Sequence, residues 1–134
     1  MDFVHINWLA VIVAALSAFI VGGIWYSRPL FGAAWMADSN LTEEQIKSGN
    51  KGKIFGFTFL FSLIMAANLA LFLSGPQTDF HRGLAIGFHT GLFAFSAIAI
   101  HSLFELKSWR HIFINGLYSV ISLTLMGVII GCWR

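Results

Sequence analysis

Four polar residues lie within long apolar stretches of the sequence, where a polar side chain is energetically costly. They are Asn68, His89, His101 and Asn115, and Glu105 follows directly after the third apolar stretch. Inside a lipid bilayer, such residues mark ion or proton pathways, ligand sites or hydrogen bonds between helices. The chemistry that they could support is binding of a small solute or ion, or proton transfer at an imidazole.

The positions of these residues relative to the ends of the apolar stretches predict two polar layers. Asn68 comes five residues before the end of its stretch, and His89 comes five residues after the start of the next. His101 and Asn115 are related in the same way at the opposite ends, each three residues from the boundary. The outer layer comprises Asn68 and His89; the inner layer comprises His101, Glu105, Asn115 and Thr58.

Each layer has two interpretations. One is an interhelical clasp, with each hydrogen bond contributing about 0.6 kcal/mol. The other is a polar path or binding pocket, for which His89 is the first candidate. His101 and Glu105 are one helical turn apart, so that the carboxylate could pair with the imidazole. At a membrane interface, however, the side chains of such a pair more often extend towards water than transfer a proton.

Metal, haem and enzyme chemistry have little support in the sequence. His89 and His101 are about 18 Å apart along one helix and about 120° around it, so they cannot share a metal ion. Met65 or Met126 could add a haem ligand, but methionine in an apolar stretch is usually a packing residue. The lone Cys132 excludes an intrachain disulfide and a cysteine-cluster metal site. Because no catalytic motif is present, we predict no enzyme activity, no cofactor and no metal.

The composition indicates what must position these residues. Apolar residues make up 57% of the chain and charged residues 10%, whereas soluble domains use about 25% charged residues. A membrane span needs about 20 mostly apolar residues, and four stretches without Lys, Arg, Asp or Glu have about that length. We therefore predict an all-α integral membrane protein, a single domain over residues 1–134 with four transmembrane helices in an antiparallel bundle. The predicted spans are residues 8–26, 54–73, 84–104 and 112–133.

The basic residues predict the orientation, because cytoplasmic loops are rich in Lys and Arg. Six of them lie in the connections after the first and third spans, and two lie on the opposite side. Both termini are therefore predicted outside, and the connection 28–53 in the cytoplasm. No basic patch suited to nucleic acid is formed. The six are Arg28, Lys47, Lys51, Lys53, Lys107 and Arg110; the two are Arg82 and Arg134.

The connection 28–53 is predicted to contain a short amphipathic segment lying in the membrane interface, followed by a short helix. Thr42 to Gln45 has the spacing of a capping box, and Gly49 can end the helix. The connection is either a tethered linker or a gate or docking surface. Its interfacial apolar residues are Leu30, Phe31, Ala34, Trp35 and Met36.

Small residues at four-residue intervals predict helix contacts, because they allow close approach in lipid. There are three such stripes, and a bundle this small could leave one of them for a homo-oligomer. The stripes are Ala14, Ala18 and Gly22; Gly83, Gly87 and Gly91; and Gly127 and Gly131.

Several short aromatic motifs resemble those of bacterial membrane proteins known as domain of unknown function 1761. They are Asn7-Trp8, Gly22-Gly23-Ile24-Trp25-Tyr26-Ser27, Leu30-Phe31-Gly32, Trp35, Leu103-Phe104-Glu105 and Ile114-Asn115-Gly116-Leu117-Tyr118. The resemblance covers nearly the whole chain. It implies a four-helix protein of the bacterial inner membrane, and it carries no activity or site residues.

These observations leave three functional hypotheses. The first is a non-enzymatic, homo-oligomeric membrane protein whose polar layers form a permeation or binding path for an ion or small solute. The second is a structural or accessory subunit that associates with another membrane protein. The third, with least support, is a membrane redox protein that binds haem or a metal.

Overall fold

The computed structural model describes residues 3–133, and every regular element in that range is helical. Helix makes up 80% of the structure, and no strand occurs among the described residues. A short 3-10 helix (Phe3–His5) precedes six α-helices. They are α1 (Trp8–Trp25), α2 (Gly32–Asp38), α3 (Glu43–Ser48), α4 (Lys51–Phe72), α5 (Phe80–Phe104) and α6 (Trp109–Cys132).

Four of these helices are long and apolar enough to cross a membrane. α1, α4, α5 and α6 contain 18, 22, 25 and 24 residues. At a rise of about 1.5 Å per residue they extend about 27 to 38 Å, which matches a hydrocarbon core about 30 Å thick.

Side-chain caps decide where the long helices begin. Asn7, Asn50, Asp79 and Ser108 each accept a hydrogen bond from a backbone N–H in the first turn of α1, α4, α5 and α6. As a result α4, α5 and α6 begin three or four residues before the uncharged stretches of the sequence do. A helix tolerates charged residues in its first turn, whereas the bilayer core does not.

The connection between α1 and α4 forms the two short helices α2 and α3. Thr42 caps α3 with the predicted capping box, in which its hydroxyl accepts from the backbone N–H of Gln45 and the Gln45 side chain accepts from Thr42 N–H. α3 ends at Gly49. Arg28, at the start of the connection, forms an ion pair with Glu43 in α3.

Helix α6 is the centre of the packing. It contacts α1, α4, α5 and α2, whereas α5 packs chiefly against α6 and touches α4 only slightly. The core between α1, α4 and α6 is apolar and closely packed, with Ala14, Ala66, Leu69 and Met126 at most 2% exposed. Asn7 Nδ2, before α1, donates to a carbonyl at the other end of the sequence, that of the residue following α6.

The small-residue stripes all make contacts within the chain. A Cβ built on Gly87 would lie 2.5 Å from the carbonyl oxygen of Leu123, and one built on Gly91 would lie 2.8 Å from Val120 Cα. In α1, Ala14 and Ala18 are buried. No stripe is therefore left free for contacts with another copy of the chain.

Candidate functional site

The outer polar residues, Asn68 and His89, are both exposed and do not meet. Asn68 Nδ2 donates to the carbonyl oxygen of Ile64 at 2.8 Å. His89 Nδ1 lies 2.7 Å from the carbonyl oxygen of Ala85. Each side chain thus bonds to its own helix, and no hydrogen bond joins the two in the described part of the chain. The clasp predicted between α4 and α5 at this depth is absent from the single chain.

The rotation of the helices explains why these residues point outwards. Successive helical residues are about 100° apart, so His89 lies about 200° around α5 from Gly87, which packs on α6. Asn68 has the same relation in α4 to the buried Ala66. The depths of Asn68 and His89 predicted that they would pair. Their angular positions on α4 and α5, which the same sequence also gives, place them on faces that point away from the bundle.

The inner polar residues are also only partly assembled. Thr58 is exposed and donates to the carbonyl oxygen of Ile54 in its own helix. His101 and Glu105 are exposed, and no ion pair joins them among residues 3–133. Asn115 alone of the predicted inner residues hydrogen-bonds to another helix.

Asn115 joins a chain of hydrogen bonds that links the end of α1 to the start of α6. The Tyr26 hydroxyl donates to Asn115 Oδ1 at 2.7 Å, and Asn115 Nδ2 lies 3.1 Å from His111 Nε2. An amide nitrogen only donates, so Nε2 of His111 accepts this bond. The proton of the neutral imidazole is then on Nδ1. We call Tyr26, Asn115 and His111 the inner triad.

His111 occupies an unexpected position. It comes directly before the predicted fourth span, and only 7% of the residue is exposed. Its Nδ1 is buried and has no hydrogen-bond partner among the described residues. A buried donor without a partner is unfavourable. The four-residue spacing of His111 and Asn115 was the sequence signal that places both on one face of α6.

Aromatic rings hold the inner triad in place. The Tyr26 ring makes edge contacts with Trp35 in α2, at 5.6 Å between centroids, and with Tyr118 in α6, at 5.4 Å. The Tyr118 hydroxyl donates to the carbonyl oxygen of Ala18, so a second hydrogen bond joins α1 and α6. These contacts fix the direction of the Tyr26 hydroxyl towards Asn115.

Helix α2 is attached to the start of α6 beside the triad. Arg110 donates two hydrogen bonds to Asp38, from Nε to Oδ2 at 2.9 Å and from Nη2 to Oδ1 at 2.7 Å. These bonds from Arg110 are the main reason that the pKa of Asp38 lies below its usual value. The Asp38 carboxylate is only 12% exposed. This bidentate pair fixes α2 over the start of α6.

Two open pockets flank this end of the molecule. One, of about 190 Å³, is lined by apolar side chains of α1, α2 and α6 together with Arg110. The other, of about 320 Å³, lies between Arg28, Ala33, Met36 and Glu43. No three His, Cys, Asp or Glu side chains within the described range lie close enough together to hold a metal ion.

The fold and the site define a class: an all-helical protein with four helices able to span a membrane and an interhelical polar cluster at one end. The family model for a protein of unknown function, DUF1761, matches residues 9–131. The chain therefore belongs to the DUF1761 family. Neither a curated protein nor a solved structure matches it.

Proposed function

We propose that this chain is an antiparallel four-span protein of the bacterial inner membrane, with both termini outside. Support comes from the four apolar helices and from six basic residues that belong to the same end, around α2, α3 and the α5–α6 turn. A fusion of alkaline phosphatase to the C-terminus should be active in the periplasm. A C-terminal green fluorescent protein that fluoresces brightly in the cytoplasm would overturn this orientation.

The function that the geometry supports best is binding of a small hydrogen-bond-accepting solute, such as a compact anion, by the inner triad. The observation that carries it is the buried Nδ1 of His111, a donor without a partner among the described residues. A bound acceptor would satisfy this donor.

Helix α2 serves as the cover of this site. Trp35 packs on Tyr26, and Asp38 pairs with Arg110, which precedes His111 in α6, so α2 lies over one side of the triad. Permeation through one chain has no comparable support. The layer between the triad and the outer residues Asn68 and His89 is the closely packed apolar core.

Histidine side-chain NMR of the protein in lipid nanodiscs tests binding directly. Sodium formate and sodium chloride are titrated separately into protein labelled with ¹⁵N in its imidazoles. We expect a saturable shift of the His111 Nδ1 resonance with at least one of them, assigned by its loss in His111→Phe. His101→Phe is the matched control, since His101 is exposed and far from the triad's hydrogen bonds.

Two further variants keep this test decisive. Tyr26→Phe retains the ring contacts and frees Asn115, so it should weaken the saturable shift. Asp38→Asn should loosen the attachment of α2 to α6, so that the His111 Nδ1 shift reaches saturation sooner after the anion is added. A wild-type spectrum that does not respond to either anion, or that responds equally in Tyr26→Phe, would overturn the proposed site.

A further inference from the structure

The outward faces of α4 and α5 carry Asn68 and His89 at lipid depth. Asn68 and His89 are exposed, and their neighbours on the same faces are apolar. Polar side chains within a bilayer are rare and face protein or water rather than lipid. A single chain embedded in lipid would leave both residues facing hydrocarbon, so something else must cover them.

The unused hydrogen-bonding groups of the two side chains are complementary. His89 Nδ1 donates to the carbonyl oxygen of Ala85, because a carbonyl only accepts, and this leaves Nε2 as a free acceptor. Asn68 uses one N–H on the carbonyl oxygen of Ile64, and its second N–H remains as a free donor. An N–H of Asn68 can therefore donate a hydrogen bond to Nε2 of His89, although the two side chains do not meet within one chain.

Their depths are also compatible. Helical side chains lean towards the N-terminus of their own helix, and both hydrogen bonds, to residues four positions earlier, follow this rule. In antiparallel helices these are opposite directions along the membrane normal, and counting from the ends of the predicted spans places Asn68 and His89 at similar depth. Rotation about that normal leaves every residue at its own depth, so a symmetric ring keeps the two residues at similar depth in neighbouring copies.

We propose that a second copy of this chain covers these faces, with α5 of one copy packed on α4 of the next and His89 accepting from Asn68. The small-residue stripes cannot supply the interface, because they are used within the chain. The inference rests on the proposed membrane insertion and is independent of ligand binding at the inner triad.

Cross-linking in native membranes tests the proposal without altering the two polar residues. Cys132→Ala provides a cysteine-free background. Phe72→Cys is placed in one tagged chain and Ala85→Cys in a differently tagged, co-expressed chain; both positions are exposed, and each is one turn from its polar residue on the same side of the membrane. A bifunctional methanethiosulfonate should then yield a covalent product that carries both tags.

Two controls decide the outcome. Ile20→Cys, on the exposed face of α1, replaces Ala85→Cys and should give no mixed product. Adding His89→Leu to the Ala85→Cys chain should remove the product. Equal yields with Ile20→Cys, no loss with His89→Leu, or adducts only to a different protein would each overturn the proposal. Membranes are washed with alkaline carbonate first, so that a failure of membrane insertion appears separately as release of the chain.

Discussion

Replacing Gly87 by alanine should force α5 and α6 apart. The added Cβ would lie 2.5 Å from the carbonyl oxygen of Leu123 and 2.9 Å from Thr124 Cα. Both are backbone atoms of α6, which cannot turn aside as a side chain can. The two helices must therefore separate along much of the contact that holds α5 in the bundle.

The expected size of the effect follows from two opposing terms. Alanine is favoured over glycine inside a helix by about 1 kcal/mol. Adding atoms to a close-packed contact costs about 1–3 kcal/mol, and occasionally more. Because the contacts are with backbone and because α5 has little other support, the upper part of that range applies. Gly87→Ala should lower the free energy of unfolding by about 2 kcal/mol.

Unfolding in mixed micelles, titrated with sodium dodecyl sulfate and followed by circular dichroism, measures this difference. Gly56→Ala is the matched control, since it makes the same chemical change in α4 where a Cβ meets nothing within 4 Å. The control should be as stable as the wild type, or more stable by up to about 1 kcal/mol. If the two variants were equally stable, the close α5–α6 contact would not be what holds these helices together.

Substitutions at three further positions test the contacts at the two ends of the bundle. The folded-state pKa of Asp38 is depressed, so its contribution is complete above the unfolded value of about 3.9 and is lost as pH falls through the folded value. The protection of the α2 amides against exchange, relative to the intrinsic rate at each pH, should therefore fall on acidification, and Asp38→Asn should show low protection already at neutral pH; wild-type protection in that variant would contradict the role of this pair. Asn7→Ala should cost about 1 kcal/mol in the detergent titration because the cap of α1 is lost, whereas Asn7→Asp should keep the cap and lose only the bond to Trp133; equal losses would contradict the capping role. Tyr26→Phe should cost about 1–3 kcal/mol by leaving Asn115 Oδ1 without its donor, and an unchanged stability would show that this hydrogen bond contributes nothing.

The apolar stretches were enough to predict an all-helical chain and the number of candidate spans. A stretch of about 20 residues without charge has few alternatives to a spanning helix, and all four stretches form helices long and apolar enough to cross a membrane. Local rules also predicted the capping box at Thr42, because this motif involves only four neighbouring residues. The family resemblance was confirmed over residues 9–131.

The candidate site was predicted less well because the prediction used only the position of each residue along its helix axis. The angle of the residue around that axis also decides what it contacts. Counting from the span ends placed Asn68 beside His89, but rotation about each helix axis turns both residues away from the bundle. The role of Asn115 as an interhelical contact was predicted, but with the wrong partners. Its partners are Tyr26 and His111, which were not among the predicted site residues.

The sequence by itself determined which segments are helices and which of their surfaces allow close approach, since hydropathy, caps and small-residue spacing act within one segment. Only the tertiary structure decided which helix lies next to which. The central place of α6, the burial of His111 and the pairing of Asp38 with Arg110 depend on contacts between residues as many as 100 positions apart, as between Ala18 and Tyr118. Such contacts are selected by the shapes of whole helix surfaces packed together, and no local pattern in the chain encodes them.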